Sequence, residues 1–339
     1  MDGSMWPIEG QSKARRIRWG APQNYVSWAY MKELREKDKT CRVYDVNPYI
    51  EVYRFRDNVY GLFNQNCDGA GDVWEYLIIG PEKAMLVDTA FGIGDIRGLC
   101  DEITGGMPLV VVNTHSGPDH CMGNVLFDRV YCHEYCVYNI THKCRPGAWD
   151  YLFDENGKNI WLDFDPKDVP EYRDYELIPV KNHHIFNLGG DHDIEVVWLP
   201  GHDSGHCGFL DHKTRILFAG DVVCSDVIGC GSGGKPDDPF RKYCTVEAYR
   251  NELSSLCMRL DEFDYIMPGH FMVNLEKGVL LNILDALNAI VADPYDYDYF
   301  QETMGGATFT KRLSWYKHVK GFGVISYNLR KGVYIPDDL

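Results

Sequence analysis

The chain lacks several features that would place it quickly, and each absence excludes something. No window approaches the roughly 18 uninterrupted apolar residues of a membrane-spanning helix. The opening MDGSMWPIEGQSKARRIRWG has basic residues but no apolar segment beside them, so neither a membrane span nor a signal peptide is expected. Clustered positive charge is also missing. The 34 Lys and Arg face 50 Asp and Glu, a formal net charge of -16, which argues against a nucleic acid held by counterion release. Cysteine is too sparse for a disulfide scaffold. The 12 in 339 residues lie in apolar stretches (Cys100, Cys207, Cys224, Cys257) as much as in loops, so reduced thiols in a cytoplasmic protein are the expectation. No internal repeat of roughly 20 to 50 residues recurs. The glycine-rich 229–239 lacks GxxxxGK(S/T), so Lys235 does not make a phosphate cradle.

What is present is an ordinary globular composition, 45% apolar and 25% charged. Residues 1–45 are polar and mixed in charge, with a helix-compatible piece around Tyr25 to Lys37, and are expected to form an N-terminal extension. From Tyr49 short apolar runs alternate with turn residues. Ile50 to Phe55, Val59 to Phe63, Glu75 to Gly80 and Ala84 to Thr89 read as successive strands. A helix over Asp95 to Ile103 closes at Gly105-Gly106. The fully apolar Leu109 to Val112 then reads as a strand buried on both faces. A stretch over about 142–186 is rich in Asp, Pro, Tyr and Lys without periodicity and is long for a plain connection, which predicts an insertion near a site entrance. Strands resume at Asp193 to Leu199, Cys207 to Leu210, Arg215 to Ala219 and Tyr265 to His270, with a helix from Val246. Leu280, Ile283, Leu284, Leu287, Ile290 and Val291 form an i, i+3, i+4, i+7 stripe, a core helix or the face of a homodimer. The aromatic residues 295–316 are expected to wall a pocket or a subunit contact.

Four times an apolar strand ends in a turn carrying metal-ligating residue types: His115 with Asp119 and His120, then His202, Asp221 and His270. Strand ends on one sheet edge converge in space, so ligands distant in sequence can meet. Imidazole and carboxylate suit zinc, and iron or manganese with little change.

The ordered set LVDTAFG (86–92), THSGPDH (114–120), PGHDSGH (200–206), LFAGD (217–221) and MPGH (267–270) resembles the metallo-β-lactamase-fold hydrolases over roughly residues 50–275. Each piece is weak alone, and the order and separations make the set specific. The resemblance implies an α/β (α+β) fold, an αββα sandwich with N- and C-terminal extensions: 1–45, a catalytic domain at 46–275 and a helical, aromatic 276–339. It implies one metal position using His115 and His202, and another using Asp119, His120 and His270, with Asp221 bridging. Asp88 matches an acid that orients ligands, and Asp119 is the residue for proton transfer. Gly117 departs from the pattern, standing where the family has a histidine, so the first position is expected to be weaker, or one ion to bind alone. His206 is expected to hydrogen-bond near the site, and is the nearest substitute for the lost histidine.

The expected cofactor is Zn2+, one or two ions, with Fe or Mn as alternatives. The expected function is hydrolysis of a small-molecule ester, lactone or thioester by metal-activated water, with no nucleic-acid or membrane partner. The alternatives are an iron-dependent redox or lyase-type enzyme on His115, His202 and Asp221, or a degenerate fold that binds metal without turnover. Cys132, Cys136, His142 and Cys144 have zinc-ligand types but no common module spacing, so free thiols are favoured.

Overall fold

In the computed structural model, which describes residues 12–17, 25–69, 71–305 and 310–336, the apolar runs after Tyr49 assemble into two face-to-face sheets. The first has eight strands. Its middle strand Ala84–Val87 pairs in parallel with Leu109–Val112, followed outward by Arg129–His133 and Glu176–Val180. On the other side come antiparallel Val73–Ile79, Val59–Asn64, Asn47–Arg56 and Arg42–Tyr44. The second has six, in the order Ile185–Asn187, Asp193–Trp198, Cys207–Asp211, Ile216–Gly220, Tyr265–Pro268, Leu275–Glu276. Only the Ile216–Gly220 and Tyr265–Pro268 pair is parallel there.

Trp74, Tyr76, Met85, Val87 and Val112 of the first sheet interdigitate with Val196, Phe209, Ile216, Phe218 and Met267 of the second. Helix Ile96–Thr104, capped by the Asp95 side chain and ended by left-handed Gly105, buries Ile96, Leu99 and Cys100 on the outer face of the first sheet. Helices Val246–Cys257 and Val279–Ala292 cover the outer face of the second. The layers are therefore helix, sheet, sheet, helix, the expected α+β sandwich. The stripe Leu280, Ile283, Leu287 and Ile290 is 0–1% exposed, which assigns it to this core.

Beyond that helix the chain is mostly strand. Tyr299–Gly305, Thr310–His318 and Val324–Tyr327 form a third sheet with Val227–Gly229, where Tyr299 stacks on its cross-strand partner Tyr316. Cross-strand aromatic pairing carries no helical period, and the aromatics expected to wall a pocket or a subunit contact instead pair with one another across this sheet. Helix Tyr25–Lys37 closes one end of the inter-sheet core with Met31, and its Arg35 pairs with buried Glu51 at 2.8 Å. Residues 142–175 cross as short turns, and Leu162–Asp163 pairs with Arg15–Arg16 near the N-terminus. Among the described residues no helix is long and apolar enough to cross a membrane.

Candidate metal centre

The strands Ala84–Val87, Leu109–Val112, Asp193–Trp198, Ile216–Gly220 and Tyr265–Pro268 all end on one edge of the sandwich. There the two sheets are joined by Trp74 N to Gly269 O and Cys207 N to Thr114 O, both 2.8 Å. That edge collects every ligand candidate. After Leu109–Val112, Pro118 opens a one-turn helix, Pro118–Cys121, that buries Asp119 and His120. Asp88 adopts a left-handed backbone (φ 65°) after Ala84–Val87, a conformation that Asp tolerates better than most residues. This turns its carboxylate back onto the loop.

Four histidines meet here, and each gives up the same nitrogen. His120 Nδ1 donates to Asp88 Oδ2 at 2.8 Å, and Asp88 is itself held by the Thr114 amide and hydroxyl, both 2.7 Å. With its hydrogen on Asp88, the Thr114 hydroxyl accepts from His115 Nδ1 at 3.0 Å. His202 Nδ1 donates to Gly229 O at 2.6 Å, and His270 Nδ1 to Asp72 O at 2.7 Å. These partners set the tautomers and leave four bare Nε2 atoms.

Those atoms converge on two carboxylates. His120 Nε2 lies 3.2 Å from Asp221 Oδ1 and 3.7 Å from Asp119 Oδ2. His270 Nε2 lies 3.3 Å from both Asp119 Oδ2 and Asp221 Oδ2, and His115 and His202 Nε2 each lie 3.7 Å from Asp221 Oδ2. His120 Nε2 and His270 Nε2 are 3.2 Å apart. Two lone pairs cannot face each other at that distance unless a proton or a cation lies between them. Asp221 Oδ1 is buried without a hydrogen-bond donor, which a bound cation would satisfy. The donor set, four imidazoles and two carboxylates, fits a divalent ion of the zinc, iron or manganese kind.

The electrostatics agree. Burial opposes charge on His120 and His270, yet Asp221 and Asp119 outweigh it and hold both well above the usual histidine range. Burial would raise Asp221, but His120 and His270 hold it far below the usual carboxylate range. The pocket therefore draws positive charge, carried by these two rings as protons when no ion is bound and replaceable there by a cation. Burial, then the neighbouring His120, pushes His115 far down, leaving its ring neutral.

Two compact ligand groups result: His115, His120 and Asp221, and Asp119, His120 and His270. Both need the single free nitrogen of His120, so they overlap in one pocket. His202 stands at its rim, its side chain 28% exposed. His206 is fully buried, but its Nε2 accepts from the Asp221 amide at 3.1 Å. Its lone pair is thereby used, which makes it a support for Asp221 and not a substitute ligand. Gly117 faces the pocket: a Cβ there would lie 2.5 Å from His115 Nε2 and 2.9 Å from Asp119 Oδ1. A side chain at 117 would therefore have to displace the tip of the His115 ring.

A network unforeseen from the sequence lies behind these ligands. Asp203, 8% exposed, accepts from the Ser116 hydroxyl and the Gly205 amide. Lys143 donates to both Ser116 oxygens. Arg16, from the segment expected to be an N-terminal extension, pairs with Asp72 at 2.6 Å, beside the carbonyl that holds His270. Only Asp203, next to His202 in PGHDSGH, carried a sequence signal. The glycine-rich loop 229–239 is stitched down. Gly229 O holds His202, Gly231 N reaches Gly201 O at 3.0 Å, and Asp238 accepts from Ser204 and Asn139. Cys132, Cys136 and Cys144 share an apolar cluster with Cys121 while His142 turns to Tyr138 O, so these residues form no zinc set.

Comparison with known proteins agrees with this geometry. The chain is 25% identical over 218 residues to the acyl-coenzyme A thioesterase MBLAC2 of Gallus gallus, covering 59% of this chain and 72% of that protein. It is 33% identical over 87 residues to the hydroxyacylglutathione hydrolase GloC of Haemophilus influenzae, covering 25% and 36%. A solved metallo-beta-lactamase from Pontibacter korlensis superposes with a TM-score of 0.49 at 17% identity, over 70% of this chain and 99% of that one. The metallo-beta-lactamase superfamily profile matches residues 68–270, which hold all six ligand candidates. The chain belongs to the metallo-beta-lactamase superfamily, and it is a hydrolase of that type.

Proposed function

We propose that this hydrolase cleaves a small-molecule thioester and works with zinc. The observation that carries the reading is the set of four Nε2 atoms, each left to face the pocket because the ring's Nδ1 is hydrogen-bonded elsewhere, aimed at Asp119 and Asp221. Asp119, His120 and His270 with Asp221 would hold the tighter ion. His115, His202 and Asp221 would form a second, open position, because Gly117 contributes no side chain there. When bound, such an ion supplies the Lewis acidity that brings the pKa of water down to about 7 and polarises a carbonyl oxygen.

The remaining work belongs to side chains. Asp88 and Asp72 O fix the His120 and His270 rings, and His206 fixes the Asp221 backbone. Asp119 lies at the mouth of the pocket, 7% exposed, its carboxylate kept ionised against burial by His120 and His270. It is placed to take the proton from water as it attacks. The thiol is a good leaving group, so no strong general acid is needed. The choice of thioester over ester or lactone is supported by two relatives whose names both denote removal of an acyl group from a sulfur carrier.

The test is a substrate panel on the zinc-loaded chain: acyl-coenzyme A and acylglutathione thioesters read by thiol release, beside oxygen esters, lactones and phosphodiesters. Thioesters are expected to exceed the others in kcat/KM by at least tenfold. A phosphodiester or lactone preference overturns the reading, as does iron as the metal retained after purification.

A further inference from the structure

Behind the pocket, Cys121, Cys132, Cys136, Ile140 and Cys144 form a small apolar cluster. Two of its thiols touch. Cys121 Sγ and Cys144 Sγ are 3.6 Å apart, and Cys144 Sγ also lies 3.4 Å from Cys121 O. They are 0% and 4% exposed. Each adjoins a residue of the site: Cys121 follows His120, and Cys144 follows Lys143, whose ammonium grips both Ser116 oxygens.

We propose that Cys121 and Cys144 are an oxidisable pair, a modification site at which hydrogen peroxide closes a disulfide and loosens the metal centre. The coupling to metal rests on the metal-hydrolase reading above; the disulfide does not.

The chemistry balances with the oxidant named. The Cys144 thiolate attacks one peroxide oxygen, the O–O bond breaks, and water leaves with the proton that Cys144 gave up. The resulting sulfenic acid is attacked at sulfur by the Cys121 thiolate. Its S–O bond breaks and the hydroxide departs as water with the Cys121 proton. Two thiols are oxidised to one disulfide, and one peroxide is reduced to two waters. Cys144 is the better first nucleophile. The hydrogen bond from Cys121 holds it below the usual thiol range against its burial, with help from Tyr175 and Lys143.

Closure has a mechanical consequence. A disulfide spans about 2 Å, so the sulfurs must approach by about 1.5 Å. Helix Pro118–Cys121 carries Asp119 and His120, and the end of helix Val137–Lys143 carries the Ser116 clamp. Drawing these ends together displaces two ligands and the loop between His115 and Gly117. Displacing groups that orient ligands weakens metal binding by roughly 10- to 100-fold.

The experiment uses the full zinc-loaded chain treated with equimolar hydrogen peroxide, then alkylated and digested. The expected product is a peptide pair joining Cys121 and Cys144, restored to two free thiols by dithiothreitol. In parallel, competition with a chelating dye should show zinc affinity falling at least tenfold on oxidation and recovering on reduction. Cys144→Ser should keep the reduced affinity and lose the response, and Cys121→Ser should do the same if the first variant folds poorly. Absence of the joined peptide overturns the proposal whatever the enzyme hydrolyses. A joined peptide with unchanged zinc affinity overturns the coupling. Failure of every thioester in the substrate panel would count against the function alone.

Discussion

His120 shows how much one side chain can decide. Its Nδ1 is spent on Asp88 and its Nε2 is demanded by both ligand groups, so the pocket favours one well-held ion with a looser neighbour. Asp88→Asn keeps the shape but weakens the acceptor that sets the His120 tautomer. Metal affinity is expected to fall roughly 10- to 100-fold, measured by chelator competition with circular dichroism unchanged. Gly117 gives a second residue-scale prediction with an unfamiliar sign. Its missing side chain looks like a lost ligand, and restoring histidine looks like a repair. The His115 ring already occupies that space, 2.5 Å from where a Cβ would sit, so Gly117→Ala and Gly117→His are both expected to lower zinc affinity, by roughly tenfold for alanine. Tighter binding in Gly117→His would show instead that His115 swings aside to readmit the family's ligand.

At the scale of elements, the helix Val279–Ala292 separates core from surface along a single stripe. Leu287 is fully buried against the second sheet, while Leu281 is 46% exposed. Leu287→Ala should cost about 2–5 kcal/mol in urea unfolding, and Leu281→Ala within about 0.5 kcal/mol. Equal costs would mean that the exposed side is covered by a second copy. The strands from Ile50 to Phe63, the helix after Asp95, the buried strand before Thr114 and the helix from Val246 were all legible, because their apolar periods and caps are local. The third sheet was not, because its order depends on pairs such as Tyr299 with Tyr316, brought together only by a hairpin.

At the scale of the whole molecule, two buried groups outside the candidate ligand set, Glu195 and His133, contribute to acid stability in separate pH windows. Glu195 would be raised by burial, but Arg259 and His183 hold it down at about 2. Its unfolded value is about 4.3, so its contribution is full above that pH and is lost as pH falls toward 2. His133, stacked on Trp198, is pushed by burial down to about 4. The unfolded chain takes that proton near pH 6.5 while the folded one declines it, so stability drops between about pH 6.5 and 4. Urea unfolding of metal-free protein should show both windows, with His133→Phe flattening the upper one and Glu195→Gln the lower. On the proposed reading, zinc would act on the same balance by mass action: at 1,000 times its dissociation constant it would add about 4 kcal/mol. Chelation should therefore lower Tm by several degrees, and an unchanged Tm would deny the pocket its ion.

The sequence alone determined the strand ends at which chemistry sits. Ligand-type residues following apolar runs are a one-dimensional pattern, and His115, Asp119, His120, His202, Asp221 and His270 all lie where four strands finish on one edge. Tertiary structure alone decided what each nitrogen is free to do, because a tautomer is set by whichever acceptor lies across a loop: Asp88, Thr114, Gly229 or Asp72. It also decided that His206 is used up on the Asp221 amide, that Lys143 and Arg16 reach the site, and that Gly117 makes room where the sequence suggested only a gap. Contacts between residues tens to hundreds of positions apart leave no period in a sequence, and at this site they set the chemistry.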